Sequence, residues 1–145
     1  MTQLTQHFTV AESQVTSTGL GNIPTKEHLA AIQNTATNME IVRAILNRLP
    51  ITVNSWYRSS AVNKAVGGVD TSEHAVGQAV DFVCPRFGSP FQIAVELSKY
   101  AAILNYNQLI YEGTWVHISF PPDGQRGKRE ILTMKKGKYY KGLIQ

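Results

Sequence analysis

Only Gly113 and Thr114 separate two apolar runs, residues 108–112 and 115–120. A two-residue connection containing glycine is a hairpin turn, so the two runs are antiparallel neighbours. Any fold open to this chain must therefore be built around an antiparallel pair. Other segments extend the pattern. Thr25 is placed to cap a helix in which Leu29, Ile32, Ala36, Met39, Ile45, Leu46 and Leu49 recur at helical spacing, and Pro50 ends it. Residues 51–57 and 79–83 read as strands, and residues 60–66 as a short helix stopped at Gly67-Gly68. Ser89 followed by Pro90 starts a second long helix reaching about Leu104. Residues 130–135 form a further strand, with 138–140 pairing back across Gly137. The expected fold is α+β: one small domain over residues 1–145, an antiparallel sheet with flanking helices. Residues 1–22 are expected to be an irregular arm anchored by Phe8 and Val10, and residues 126–145 a basic hairpin.

Composition narrows the class. With 43% apolar and 17% charged residues the chain can bury a core and is not a disordered one. No apolar run approaches the roughly 18 residues of a membrane span. The start, MTQLTQHFTVAESQ, has no basic stretch followed by an apolar one, so no secretory signal and synthesis in the cytoplasm are expected. Cys84 stands alone, which excludes an intrachain disulfide and a multi-cysteine metal site; it reads as a small buried hydrophobe. The net charge of +4 is uneven: residues 126–145 hold seven Lys or Arg against Glu130 alone, leaving the rest of the chain slightly acidic. Such an end suits an anionic partner such as cell-wall polymer, nucleic acid or lipid headgroups, and equally suits a solvated hairpin. Nucleic acid has the least support, since no binding motif accompanies Tyr139 and Tyr140.

The chemistry gathers in two places. Asp81 lies inside the apolar strand Ala-Val-Asp-Phe-Val, and a carboxylate there must be paired or bound to a metal. His74 lies in the loop before it. In the second run, Val116, Ile118 and Phe120 share the core face, so His117 faces a cleft or solvent with Trp115 and Ser119. Two imidazoles and one carboxylate are three ligands for a zinc ion that keeps its fourth position open. Attack on an amide also needs a proton acceptor and a positive group for the oxyanion, and Glu112 and Arg58 are the candidates. Each residue taken singly has a plain reading: a satisfied strand aspartate, a surface or core histidine, a turn carboxylate, a surface arginine. His7 and His28 read as structural or solvated.

Together the residues resemble a known family. S-x-H-x-x-G-x-A-x-D, from Ser72 to Asp81, followed by W-x-H at Trp115 and His117, resembles the zinc D-Ala-D-Ala carboxypeptidases and L-Ala-D-Glu endopeptidases, which act on the stem peptides of bacterial peptidoglycan. Ser55-Trp56-Tyr57-Arg58-Ser59 is similar to the family's S-x-Y-R-S segment, Gly67-Gly68 stands at the usual distance before the first histidine, and the segment 8–12 resembles the compact, phage-associated branch. The resemblance implies one zinc ion held by His74, Asp81 and His117, with Arg58 at the oxyanion. Ser72, Tyr57 and Trp115 would support the site or bind substrate. Many members place a catalytic carboxylate three residues before the last histidine, but here that residue is Thr114, and Glu112 is the nearest acid. The implied fold is a small α+β domain shared with the Hedgehog signalling domain. The implied activity is hydrolysis of a stem-peptide amide, as a phage lysin or a virion-associated wall enzyme, with the basic end on anionic wall polymer. The competing expectation is a zinc domain of the same fold that binds without catalysis.

Overall fold

The computed structural model describes residues 2–145. Its centre is a six-stranded sheet, β1 (Thr52–Ser55), β2 (Ala79–Val83), β3 (Gln108–Tyr111), β4 (Val116–Ser119), β5 (Glu130–Lys135) and β6 (Lys138–Lys141), in the order β1-β2-β4-β3-β5-β6. The helices are α1 (Val10–Ser13), α2 (Lys26–Ile45), α3 (Ser60–Ala65), α4 (Pro90–Ser98) and α5 (Ala101–Leu104), with a single 3-10 turn at Glu73–Val76. This is the expected α+β class. Among the described residues no helix is long and apolar enough to cross a membrane.

The hairpin forms as read. Tyr111 pairs with Val116, Glu112 N–H donates to the Trp115 carbonyl, and Gly113 takes a φ of +84° that an L side chain disfavours. Alternation sorts the sheet into two faces. Val80, Phe82, Val116, Ile118, Leu109 and Phe120 pack into the core with Ile32, Ala36, Met39 and Val42 of α2. Asp81, His117 and Ile110 are paired across the other face.

One strand departs from the antiparallel expectation: β5 runs parallel to β3, with Gln108 opposite Glu130 and Tyr111 opposite Thr133. The chain leaving β4 crosses beneath the start of β3 and re-enters the sheet on its far side, in the direction β3 runs. Asn105 and Asn107 hold this crossing through Asn105 Oδ1 to Gly127 N–H at 2.9 Å and Asn107 Oδ1 to Lys128 N–H at 3.2 Å. Gly127 passes so close to the Asn105 and Tyr106 carbonyls that a Cβ would collide with them. The β5–β6 hairpin then closes across Lys136 and Gly137, both at positive φ.

Helix ends also differ from expectation. Thr25 caps α2, but the helix stops at Ile45, ahead of Pro50, because Asn47 and Arg48 adopt φ of 61° and 58°. The second long helix breaks into α4 and α5. There the Ser98 hydroxyl bonds back to the Val95 carbonyl, and the N–H groups of Lys99 and Tyr100 bond three residues back, tightening the turn. Ser89 and Pro90 start α4 as expected, with a reciprocal bond between Ser89 and Gln92.

The arm is more ordered than the expectation of an irregular segment. Thr9 and Glu12 form a capping box on α1, and Gln3 bridges Thr9. Phe8 is 1% exposed and meets the Trp56 ring edge-on, with centroids 6.2 Å apart. Glu40 of α2 holds the turn before it, accepting from Thr5 Oγ at 2.6 Å and His7 N–H at 2.8 Å. Since Phe8 is a full core residue, Phe8→Ala should lower unfolding stability by about 3–5 kcal/mol. A loss below about 1 kcal/mol in urea melts would show that the arm is an ornament on the core.

Candidate metal centre

Three elements bring the ligand set together. His74 comes from the 3-10 turn, Asp81 from β2 and His117 from β4, where Asp81 and His117 are directly opposite. Ser72 caps the turn, its hydroxyl accepting from His74 N–H at 3.2 Å. Gly77 closes it at φ +81°, and α2 lies so near that a Cβ would stand 2.7 Å from Ile32 Cγ1. Trp56 holds both ends of the loop: its ring N–H donates to the Gly77 carbonyl at 3.1 Å, and its own carbonyl accepts from His74 Nδ1 at 2.7 Å.

Asp81 Oδ1 faces both imidazoles, His74 Nε2 at 3.2 Å and His117 Nδ1 at 3.0 Å. The three ligand atoms lie within 4.8 Å of one another, and all three residues are buried. A carbonyl oxygen can only accept, so the proton of His74 is on Nδ1, and the neutral ring presents its Nε2 lone pair to Asp81. Burial pushes the His74 pKa down, against the opposing pull of the Asp81 carboxylate. Burial resists ionisation of Asp81, but the hydrogen bond from His117 and the imidazole of His74 beside it overcome burial and hold the carboxyl well below the usual range. A lone pair and an ionised oxygen facing each other need a cation between them. Tetrahedral zinc with bonds of about 2.0–2.2 Å keeps its ligand atoms roughly 3.3 Å apart, close to the separations here. The donor set fits zinc.

The remaining candidates stand around this cluster. Arg58 donates from Nη2 to Asp81 Oδ2 at 3.3 Å and from Nε to Ser55 Oγ at 3.1 Å, which uses two of its five N–H groups. Its backbone is held from the arm: Asn22 donates to the Tyr57 carbonyl and accepts from Ser59 N–H, at 2.8 and 2.7 Å. Glu112 Oε2 accepts from the Trp115 indole at 3.1 Å and stands 4.0 Å from His117 Nδ1. Burial, and then the Asp81 charge, raise the Glu112 pKa. Tyr57 packs in the core against His28, centroids 5.2 Å apart, in the layer behind the site. Glu73 points to Ser119 Oγ at 2.7 Å and Asn107 Nδ2 at 2.9 Å, tying the 3-10 turn to the sheet. His7 bonds Glu40 and Cys84 is buried, both away from the centre.

The three ligands, Arg58, Glu112, Trp115, Ser72 and Glu73 open onto one cavity of about 650 Å³, whose lining also includes Asn107, Lys128 and Tyr139; Tyr57 does not reach it. Sequence reasoning passed over Asn22, the Trp56 carbonyl and Asn107, and weighed Tyr139 only as an aromatic at the basic end. Only Trp56 carried a signal, being inside the motif that contains Arg58.

Three buried ligands with a cavity in front of them, a carboxylate to one side and a guanidinium to the other, are the parts of a mononuclear metallohydrolase centre. The family model for peptidase M15 matches residues 4–119, and the chain belongs to that family of zinc metallopeptidases. This agrees with the resemblance carried by residues 72–81 and by Trp115 and His117. A search of curated proteins gave no match.

The site predicts a stability signature. In the metal-free protein the folded-state pKa of His74 lies below its unfolded value, so the unfolded chain takes up a proton first as pH falls. Stability should drop as pH passes below about 6.5, and drop again below about 4 as Asp81 is protonated in the unfolded chain. Urea midpoints that stay level from pH 8 to 5 would exclude a neutral, buried His74. Zinc at a hundredfold excess over its Kd should add about 2.7 kcal/mol, and Asp81→Ala should lose both uptake and stabilisation.

Proposed function

We propose that the protein hydrolyses an amide bond in peptidoglycan stem peptides, as a D-Ala-D-Ala carboxypeptidase or an L-Ala-D-Glu endopeptidase. The observation that carries this reading is the convergence of His74, Asp81 and His117 on one point, with Glu112 and Arg58 beside it. His74, Asp81 and His117 would hold the zinc ion. When bound, zinc supplies Lewis acidity that brings the pKa of water from 15.7 to about 7. Glu112, shielded from solvent and 4.0 Å from His117, takes the proton of the attacking water and passes it to the leaving amine. Its raised pKa suits a group that must accept and then release a proton. Trp115 fixes the carboxylate through its indole N–H, leaving the other oxygen for the water. Arg58 aligns Asp81 and offers its remaining N–H groups to the carbonyl oxygen as charge develops there. Glu112 thus takes the part that the residue at Thr114 has in other members: the turn at Gly113 turns it back toward the centre.

The same reading assigns the basic end to anionic wall polymer and the enzyme to a phage, acting on the host wall after release or as part of the virion. Lys135, Lys136 and Lys138 are exposed at the tip of the β5–β6 hairpin. Wall binding should therefore weaken as salt rises, exposed charges being screened over about 8–10 Å, and should weaken when these three lysines are neutralised. Salt-independent binding that survives the triple substitution would leave a solvated hairpin tip.

The deciding experiment is incubation of the zinc-loaded protein with defined muropeptides, products identified by mass, which also tells which bond is cut. Glu112→Gln should keep zinc and fold and lose about 10²–10⁴-fold in turnover. Arg58→Ala should keep zinc and lose about 10²–10³-fold. His117→Ala should lose the metal. Parent-rate cleavage by Glu112→Gln would remove Glu112 as the base; no cleavage of any stem peptide by the parent would favour a zinc domain that binds only.

A further inference from the structure

The family match ends at residue 119, before the β5–β6 hairpin, yet that hairpin reaches the cavity. Pairing fixes its orientation. His117 is opposite Ile110, Ile110 opposite Leu132, Leu132 opposite Lys141, and Met134 opposite Tyr139. Partners in a ladder share a face, so this row continues the face of the sheet that carries Asp81 and His117. Tyr139 joins it one step further along β6, and Lys128 stands at the crossing that leads into β5. Both line the cavity that holds the metal ligands. Tyr139 is close enough to Glu112 and Asp81 for their charges, after burial, to raise its pKa.

The hairpin is docked firmly. Asn107 accepts from Lys128 N–H and donates to Glu73, the residue before His74, so the position of Lys128 is coupled to the turn that carries a ligand. Thr133 Oγ accepts from Ile144 N–H and donates to the Gly142 carbonyl, closing the end of the chain onto β5. Three strand spacings separate β4 from β6, about 14 Å at 4.8 Å each, the length of about four extended residues.

We infer that the β5–β6 hairpin is the far wall of the substrate groove and selects an extended acidic peptide, with Tyr139 as the surface the peptide lies against and Lys128 as the cation for its side-chain carboxylate. This rests on the peptidase reading and adds specificity determinants outside the family match. The exposed Tyr139 ring offers an apolar face with few rotatable bonds. Lys128 lines the cavity and makes no ion pair with the described residues, whereas Arg58 is engaged by Asp81, so a carboxylate on the peptide meets a cation that the metal cluster does not already engage. Tyr139 and Lys141 share the groove side, while Lys135, Lys138 and Tyr140 are turned to the other face, which separates the groove from the exposed tip.

The test uses zinc-loaded protein, a stem pentapeptide with a free glutamate carboxylate and the same peptide with that carboxylate amidated. Equilibrium binding is measured by titration calorimetry and cleavage is followed separately. The parent should bind the acid about three- to fivefold more tightly than the amide, as expected of an exposed ion pair. Lys128→Gln should bring the ratio to about one. Tyr139→Ala should weaken both peptides about fivefold and Tyr139→Phe should not, with zinc uptake and melting temperature at parent values in all three. An unchanged acid-to-amide ratio in Lys128→Gln, unchanged affinity in Tyr139→Ala, or a parent that binds neither peptide overturns the inference. Cleavage with no dependence on these two residues removes the inference alone; binding with the expected ratio but no cleavage removes the peptidase reading alone.

Discussion

Asp81 is an ionised carboxylate on an inner strand of the sheet, and the surrounding structure answers its charge. One oxygen faces His74 and His117, and the other receives Arg58. A buried charge without such partners would cost several kcal/mol, so β1, β2, β4 and the 3-10 turn must all be in place for any of them to be stable there. Each partner is in turn fixed from behind: His74 by the Trp56 carbonyl, Arg58 by Ser55 and by the Asn22 clamp on its neighbours, Glu112 by Trp115. The centre is preorganised by this outer set of hydrogen bonds, and the one from His74 ends on Trp56 in the core.

Trp56 shows how packing and chemistry share residues. Its ring lies between Phe8 of the arm and the Gly77 carbonyl, and its backbone oxygen sets which nitrogen of His74 is free. Thr35 of α2 donates to the same Gly77 carbonyl at 2.9 Å. The longest helix, the arm and the ligand loop therefore meet at one glycine, where a side chain would strike Ile32 and the φ is left-handed. A methyl group there would disturb the ligand loop through the core without touching the cavity.

Much of this was legible in the residues themselves. An aspartate in an apolar strand, a histidine on the polar side of an alternating strand and a two-residue glycine turn are local signals, and each placed its residue where the structure has it. The Thr25 and Ser89 caps were legible for the same reason. What escaped had no local signature. The bond from His74 to Trp56 ends on a carbonyl that every residue possesses. Asn22 and Asn107 look like ordinary loop asparagines until segments far along the chain fold against them. The parallel entry of β5 depends on a crossing beneath β3 that turn chemistry at 120–129 does not encode. The break between α4 and α5 hangs on one serine hydroxyl competing for a carbonyl.

The strand order has a consequence for timing. On the side away from β1, β2 pairs with β4 and not with β3, the next strand in sequence, so Asp81 meets His117 only after the whole of α4, α5 and β3 has been made. Contacts of such long sequence separation form late in folding. A chain growing from the ribosome carries His74 and Asp81 for some time with no third ligand. Assembly of the centre thus waits for β4: a chain stopped before it carries residues 72–81 of the motif and no competent site.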